Sequence, residues 1–357
     1  MTFEEARAAF PVLERLAYLN AGSMGPLARA TVDVMATRLR ADLDDGRGGK
    51  AYIEEMLALR QRVRAALAAA ISVDPDGIAL MTSTTDACNA VLAGLELGPD
   101  DEVVTTDVEH FGLIGPLHAS GARIRVAPVG TASGRDAAQA ILDRVTAATR
   151  LIAVSHVAWT SGNSLSPALL KAETGLPVLV DGAQSVGAVE VDAAAFDFYT
   201  VSGQKWLCGP DTTGALYVAD PERLRVARPT YFSQERYEPT GAFAARPGAQ
   251  RFDSTWLGVP SLAGLETALR QAPDWRFERI RETAARCRRL LADRFEIVTA
   301  PDQAGLVSFR VPDPVAAVAR AYERGVVLRD LPGTGLVRAS CGYWTSDGDL
   351  ERMLAAI

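Results

Sequence analysis

Seven short apolar runs, interleaved with helical patterns over the first two-thirds of the chain, restrict the fold more than any other feature. The runs are Gly77–Met81, Glu102–Thr106, Arg123–Val126, Leu151–Val157, Pro177–Asp181, Phe198–Val201 and Gly214–Val218. Most are bounded by Gly, Pro, Asp or Ser, which suits strands better than buried helix turns. Between several of them lie helical stretches such as Thr84–Leu95 and Ala137–Ala147. This alternation predicts an α/β domain, a mostly parallel seven-stranded sheet with helices on both faces. In such a sheet a ligand sits beyond the carboxyl ends of the strands.

The pattern changes near Pro260. Asp274–Phe295 reads as a long Arg-rich amphipathic helix. After it come strands at Glu296–Thr299 and Leu306–Val311, a helix near Pro314–Arg324, strands near Val326–Leu328 and Leu336–Ala339, and a terminal helix from Asp347. That is a smaller C-terminal α+β domain. A chain of 357 residues is also long for one small core. We expect a large α/β domain over 51–260 and a small one over 261–357, with the N-terminal segment 1–50 packing beside the small domain.

Two runs carry the chemistry. Val178–Ser185 reads V-L-V-D-G-A-Q-S, so an apolar strand delivers Asp181; Thr200–Trp206 reads T-V-S-G-Q-K-W, so a small-residue turn presents Lys205. A carboxylate at a strand end is also a common turn residue, and a lysine is by default a surface charge. Here Lys205 is followed by Trp206 and the apolar run to Pro210, which predicts partial burial and a lowered pKa. An acid and a nucleophilic lysine at neighbouring strand ends match the needs of pyridoxal 5′-phosphate (PLP): a partner for the ring nitrogen and an amine for the aldehyde. Gln184 is a candidate donor to the ring oxygen, or else a helix-start residue. Ser83-Thr84-Thr85-Asp86 opens a helix, where backbone N–H groups bind phosphate, although these residues are equally plain N-caps. His110 follows a strand end and is placed to stack on the ring. Arg338, near a C-domain strand end, suits a substrate carboxylate. His118 and His156 receive no role beyond a hydrogen bond.

Composition narrows the setting. A net charge of −7 argues against a nucleic-acid partner, and no run approaches the ~18 apolar residues of a membrane span. The N-terminus, M-T-F-E-E-A-R, lacks the basic and apolar regions of a signal peptide. Cys88, Cys208, Cys287 and Cys341 are scattered without a CxxC pair, as expected for reduced thiols in a cytoplasmic enzyme without a metal.

Taken in order, T-T-D at Thr84–Asp86, E-H at Glu109–His110, S-H-V-A-W at Ser155–Trp159, D-G-A-Q-S at Asp181–Ser185, S-G-Q-K-W at Ser202–Trp206 and R-A-S at Arg338–Ser340 resemble the class V aminotransferase superfamily of fold-type I PLP enzymes. The resemblance covers nearly the whole chain and is nearest to the cysteine/cystine C–S lyase and isopenicillin-N-epimerase-like branch. It implies that Lys205 bonds the PLP aldehyde, Asp181 pairs with the ring nitrogen, Gln184 meets the ring oxygen and His110 stacks on the ring. It implies a phosphate site of Thr84, Thr85, Asp86, Ser202 and Gln204, completed by Thr255 (or, by a one-residue shift, Ser254) of a partner subunit, hence a homodimer with shared sites. Arg338, Asn20 and Trp159 fall on the substrate side.

Two departures from the family matter. Gln204 stands where many members have His. Gly325–Arg338, where desulfurases bring a nucleophilic cysteine ahead of the arginine, is short and has none; Cys341 and Cys208 follow Arg338 and Lys205 instead. The expectation is a C–S β-lyase acting on cysteine, cystine or a cysteine S-conjugate or its sulfoxide. An aminotransferase, epimerase or desulfurase of the same superfamily is the alternative. A cofactor-free scaffold is disfavoured by the retention of Lys205 and Asp181.

Overall fold

The computed structural model describes residues 1–357. The N-terminal segment carries α1 (Phe3–Ala8), β1 (Ala17–Tyr18) and α2 (Arg29–Asp44), and α3 (Lys50–Ala70) leads to the main sheet. Strands and helices then alternate: β2 (Ile78–Met81), α4 (Thr84–Gly94), β3 (Glu102–Thr106), α5 (Phe111–Ala119), β4 (Arg123–Ala127), α6 (Gly134–Leu142), β5 (Thr149–Ser155), α7 (Pro167–Thr174), β6 (Val178–Asp181), β7 (Phe198–Ser202) and β8 (Gly214–Val218). All seven expected runs are strands, their ends displaced by about two residues at most. Their order is β2-β8-β7-β6-β5-β3-β4. The block from β7 to β4 is parallel, and β8 joins both of its neighbours antiparallel. The central strands are buried along their length, as apolar runs covered by helices on both faces should be. The fold is the expected α/β one, a mostly parallel sheet with a smaller α+β portion.

Helix α6 stops earlier than its Ala-rich sequence suggests. Beyond Asp143 the chain turns so that the Thr146 hydroxyl can donate to Glu102 at 2.5 Å, which pulls it out of helical register.

After β8 the chain forms a hairpin of β9 (Gln234–Tyr237) and β10 (Phe243–Ala245), then α8 (Val259–Gln271), α9 (Arg276–Ala292), β11 (Leu306–Arg310), α10 (Pro314–Glu323), β12 (Val326–Val327), β13 (Arg329–Leu331), β14 (Leu336–Ser340) and α11 (Asp347–Ala356). Strands β11, β14 and β13 make an antiparallel sheet. β1 pairs in parallel with β12, and Ala17 and Leu19 enter the core formed around α9, α10 and α11. Helix α8 packs instead against α2 and α3, and its Val259, Leu262 and Leu265 belong to the core of the large sheet. The strand expected at Glu296–Thr299 is reduced to one bridge, Ile297 to Phe309. Thr299 donates its hydroxyl to the Ser161 carbonyl at 2.5 Å, and Ala300 donates to Asn163, so the backbone leaves β11 for a loop of the large sheet. No helix is long and apolar enough to cross a membrane.

Candidate active site

The carboxyl ends of the parallel strands line up across the sheet. Ser155 lies opposite Asp181 in the β5–β6 register, and Asp181 opposite Thr200 in β6–β7. Asp181 is buried at 3% exposure. Its Oδ1 accepts from the Ala183 N–H at 2.9 Å and the Thr200 hydroxyl at 3.3 Å, while Oδ2 accepts from nothing. A buried carboxylate with one satisfied and one free oxygen is held in place and still able to take a donor from a ligand.

Lys205 follows β7 on a turn locked by neighbouring backbone. Gly25 donates its N–H to the Gln204 carbonyl at 2.8 Å, and Cys208 donates to the Lys205 carbonyl at 3.0 Å. A Cβ on Gly25 would lie 2.1 Å from the Lys205 carbonyl oxygen, so only glycine lets the N-terminal segment close over this turn. The Lys205 side chain is half-buried, with no ion pair or hydrogen bond. Burial pushes its amine down to about 8; Asp181 opposes the shift and Arg338 assists it. The amine is therefore a far better nucleophile near neutrality than an exposed lysine.

Gln184 is buried rather than an exposed helix-start residue. It donates to the Gly22 carbonyl at 2.8 Å and accepts from the Trp206 indole at 3.0 Å, leaving one amide N–H for a ligand. Ser202 donates its hydroxyl to the Gln204 Oε1 at 2.8 Å, which leaves the Gln204 NH₂ available as a donor. Helix α4 is capped by Ser83, which accepts from the Asp86 N–H at 3.1 Å. Thr84 is buried and Thr85 half-buried in its first turn. The Asp86 carboxylate folds back on Thr82, the residue just before the cap. It accepts from the Thr82 N–H and hydroxyl at 3.3 and 3.1 Å and from the Ser254 hydroxyl, and pairs with Arg228 at 3.1 Å. Burial works to raise its pKa, yet the hydrogen bonds from Ser254 and Thr82, with Arg228 beside it, hold it below the usual carboxylate range.

His110 caps α5. Its Nδ1 accepts from the Gly112 N–H at 3.1 Å, so the neutral ring carries its proton on Nε2. The ring meets Trp159 edge to face at 5.3 Å. Partial burial and the charge of Lys205 lower its pKa against the pull of Asp181.

On the substrate side, Arg338 is 2% exposed and has no carboxylate partner. Its Nη1 donates to the Trp159 carbonyl at 2.7 Å and its Nη2 to the Ser23 hydroxyl at 3.4 Å; Nε is buried without a partner. Burial, helped by Arg329, pushes its pKa down to about 9. The Asn20 Oδ1 and Trp159 Nε1 are likewise enclosed and unpaired. The Arg338 Nε, Asn20 Oδ1 and Trp159 Nε1 are thus each able to take a partner from a ligand. Thr255 stands apart. It is exposed, hydrogen-bonds nothing and borders a cavity of about 380 Å³ with Thr82, Asp86 and Arg228.

Two residues receive no role of their own in the sequence. Glu109 accepts from the Thr106 hydroxyl at 2.7 Å and the Ser155 hydroxyl at 2.5 Å. Burial raises its carboxyl to about 7 against those hydrogen bonds, with Asp181 adding to the rise. Its position just before His110, past a strand end, was the available signal. Arg329 faces Arg338 across the β13–β14 register, exposed and without an ion pair. Gly333 and Gly335, both at positive φ, mark the hairpin that brings the two arginines together. His156 is bonded to the Tyr199 hydroxyl at 2.7 Å, and burial lowers its pKa to about 4, which keeps it neutral.

Comparison with known proteins places the chain in a family. The Aminotransferase class-V family model matches residues 21–313. Isopenicillin N epimerase of Streptomyces clavuligerus is 30% identical over 393 residues, covering 99% of this chain and 97% of that protein. A cysteine desulfurase of Dickeya dadantii is 33% identical over 291 residues, covering 73% of this chain and 68% of its own length. Among solved structures, a mutant of C-DES with glycine covalently linked to the PLP cofactor has a TM-score of 0.91 at 29% identity, over 98% of both chains. The cystine C–S lyase C-DES in complex with its reaction product cysteine persulfide has a TM-score of 0.90 at 29% identity, over 97% of this chain and 98% of that one.

Proposed function

The chain belongs to the class V aminotransferase family and its cofactor is pyridoxal 5′-phosphate; from that premise we propose that it is a carbon–sulfur β-lyase acting on cysteine, cystine or a cysteine S-conjugate or its sulfoxide. Water and substrate would give pyruvate, ammonia and the sulfur fragment.

The residues fit the cofactor. The free Oδ2 of Asp181 suits a ring N–H, and the unpaired Lys205 amine suits the aldehyde carbon. The start of α4 with Thr84 and Thr85, joined by Ser202 and Gln204, suits the phosphate. His110 offers its ring face, and Gln184 its spare N–H. When bound, PLP supplies an electron sink for the α-carbon. Arg338 then holds the substrate carboxylate on its free Nε edge, with Asn20 and Trp159 turning their unpaired atoms to the same substrate. The Lys205 amine, unpaired and of lowered pKa, would take the α-proton as general base. Once that proton is gone the β-sulfur can leave with its bonding electrons, and hydrolysis of the three-carbon remainder yields pyruvate and ammonia. Arg329, unpaired beside Arg338, suits the second carboxylate of a substrate such as cystine.

The observation that carries lyase over desulfurase is the state of the thiols. Cys88, Cys208, Cys287 and Cys341 are all buried, and burial pushes the Cys208 thiol far above its ordinary value. No cysteine lies in the β12–β13–β14 stretch ahead of Arg338. A desulfurase needs an accessible thiolate to take the sulfur. Replacing Cys208 and Cys341 together by Ser should therefore preserve the rate of sulfur release, apart from a loss of stability in the core. Release abolished by either single change, with a persulfide on that cysteine by mass spectrometry, would reverse the assignment. The identity with isopenicillin N epimerase over the whole chain supports epimerisation as the second reading.

Arg338→Lys keeps the charge but not the planar fork. It should raise KM for the amino acid roughly 10- to 100-fold, the equivalent of about 1.5–3 kcal/mol for one charged hydrogen bond. The absorbance of bound cofactor should stay as it is. A bleached cofactor with unchanged KM would remove Arg338 from the substrate site.

The same reading makes the active unit a homodimer. Ser254 is engaged by Asp86 in its own chain, whereas Thr255 is exposed and free to meet a partner's phosphate.

A further inference from the structure

Asp86 occupies the first turn of α4, where the cofactor phosphate belongs under the reading above. A carboxylate aimed at a phosphate would repel it. The Asp86 carboxylate is instead taken up within the protein, by the Thr82 N–H and hydroxyl, by Arg228 and by the Ser254 hydroxyl, 168 residues along the chain. Ser254 lies in a segment pinned at two successive residues. The Asp253 carboxylate is held by buried Arg60 at 2.8 Å and buried Arg64 at 2.9 Å, and takes the Leu80 N–H at 2.8 Å. The Ser254 N–H donates to the Leu80 carbonyl at 2.9 Å, and its side chain meets Asp86. The next residue, Thr255, is free of any hydrogen bond and opens on the cavity of about 380 Å³ that Thr82, Asp86 and Arg228 also line. Two anchored residues followed by a free hydroxyl make a pedestal for that hydroxyl.

We propose that Asp86 is a positioning residue for the other subunit's site: through Ser254 it sets Thr255, so its loss is felt at the partner's cofactor rather than at its own. This rests on the homodimer reading with Thr255 acting across the interface. It also removes the Asp86 carboxylate from the set of groups that touch the phosphate of its own chain.

The test uses mixed dimers in which one chain carries Lys205→Ala, so that only the other chain can be fixed to cofactor by borohydride. Asp86→Ala is placed on one chain or the other, and dissociation constants are measured by titrating apo-dimer with PLP and with pyridoxal, which lacks the phosphate. With Asp86→Ala on the Lys205→Ala chain, PLP affinity at the intact chain should fall about tenfold, as for one lost charge-assisted hydrogen bond. Pyridoxal affinity should not change. With Asp86→Ala on the Lys205-bearing chain, PLP affinity should hold. Ser254→Ala should repeat the pattern and carries the test if Asp86→Ala does not fold. A loss confined to the chain bearing Asp86→Ala, an equal loss in both placements, or an equal loss for pyridoxal overturns the proposal. Thr255→Ala in the same dimers separates the two ideas. If it acts on its own chain, the dimer reading fails; if it acts across the interface while Asp86→Ala and Ser254→Ala do not, only the role of Asp86 fails.

Discussion

Lys205→Ala should lose turnover by roughly 10⁴-fold or more: in the proposed mechanism one amine both bonds the cofactor at rest and moves the substrate α-proton, and positioned proton transfer alone contributes ~10²–10⁴-fold. The variant should bind PLP weakly through its phosphate contacts and lose the absorbance of the covalently held cofactor. Borohydride should fix PLP on the Lys205 peptide of the wild type and on no peptide of the variant. The pH dependence follows from the burial of the amine. Only the unprotonated amine attacks an aldehyde, and burial lowers the pKa of Lys205 from 10.5 to about 8. The rate at which apo-protein takes up PLP should therefore rise with pH below 8 and level off above it. A rate still climbing steeply through pH 9 and 10 would mean an ordinary, solvated lysine. Wild-type turnover in Lys205→Ala would remove this residue from the chemistry.

Asp181→Ala should be nearly as damaging, but by a different route. The proposed phosphate and His110 contacts are left in place, so cofactor should still bind. What is lost is a buried, preoriented carboxylate, fixed on Oδ1 by Ala183 and Thr200 and free on Oδ2. Removing one preorganised electrostatic partner costs roughly 10²–10³-fold in rate. The direct readout is exchange of the α-proton of alanine, which has no β-leaving group, followed in deuterated water by NMR. Exchange should fall by that factor while most of the cofactor stays bound at saturating PLP. An unchanged exchange rate would show that the ring nitrogen has another partner.

The large sheet was legible because its strands are buried on both faces, so their sequences are continuous apolar runs ending in turn residues. The same ends carry Asp181 and Lys205, which is why the sequence brings the centre of the candidate site into view too. Contacts between distant segments were not. Gly25 reads as an ordinary glycine until its approach to the Lys205 carbonyl is seen. The start of α4 points to Asp86 as a phosphate neighbour; its bond to Ser254 has no local trace in the sequence. Arg329 was hidden in a stretch read for its lack of cysteine rather than for its hairpin. The strand expected over Glu296–Thr299 has suitable residues, but Ser161 and Asn163 on another part of the chain compete for its end. For Asp86 and for the end of Glu296–Thr299, a tertiary hydrogen bond decided what periodicity left open.

Product analysis tests the central claim most directly. PLP-loaded protein is given cystine, and separately cysteine, and pyruvate, ammonia, alanine and sulfur products are quantified over the course of the reaction. A C–S β-lyase releases pyruvate and ammonia in equal amounts, matched by the sulfur product, with no alanine. Alanine as the main carbon product, or inversion at the α-carbon without loss of sulfur, would contradict it.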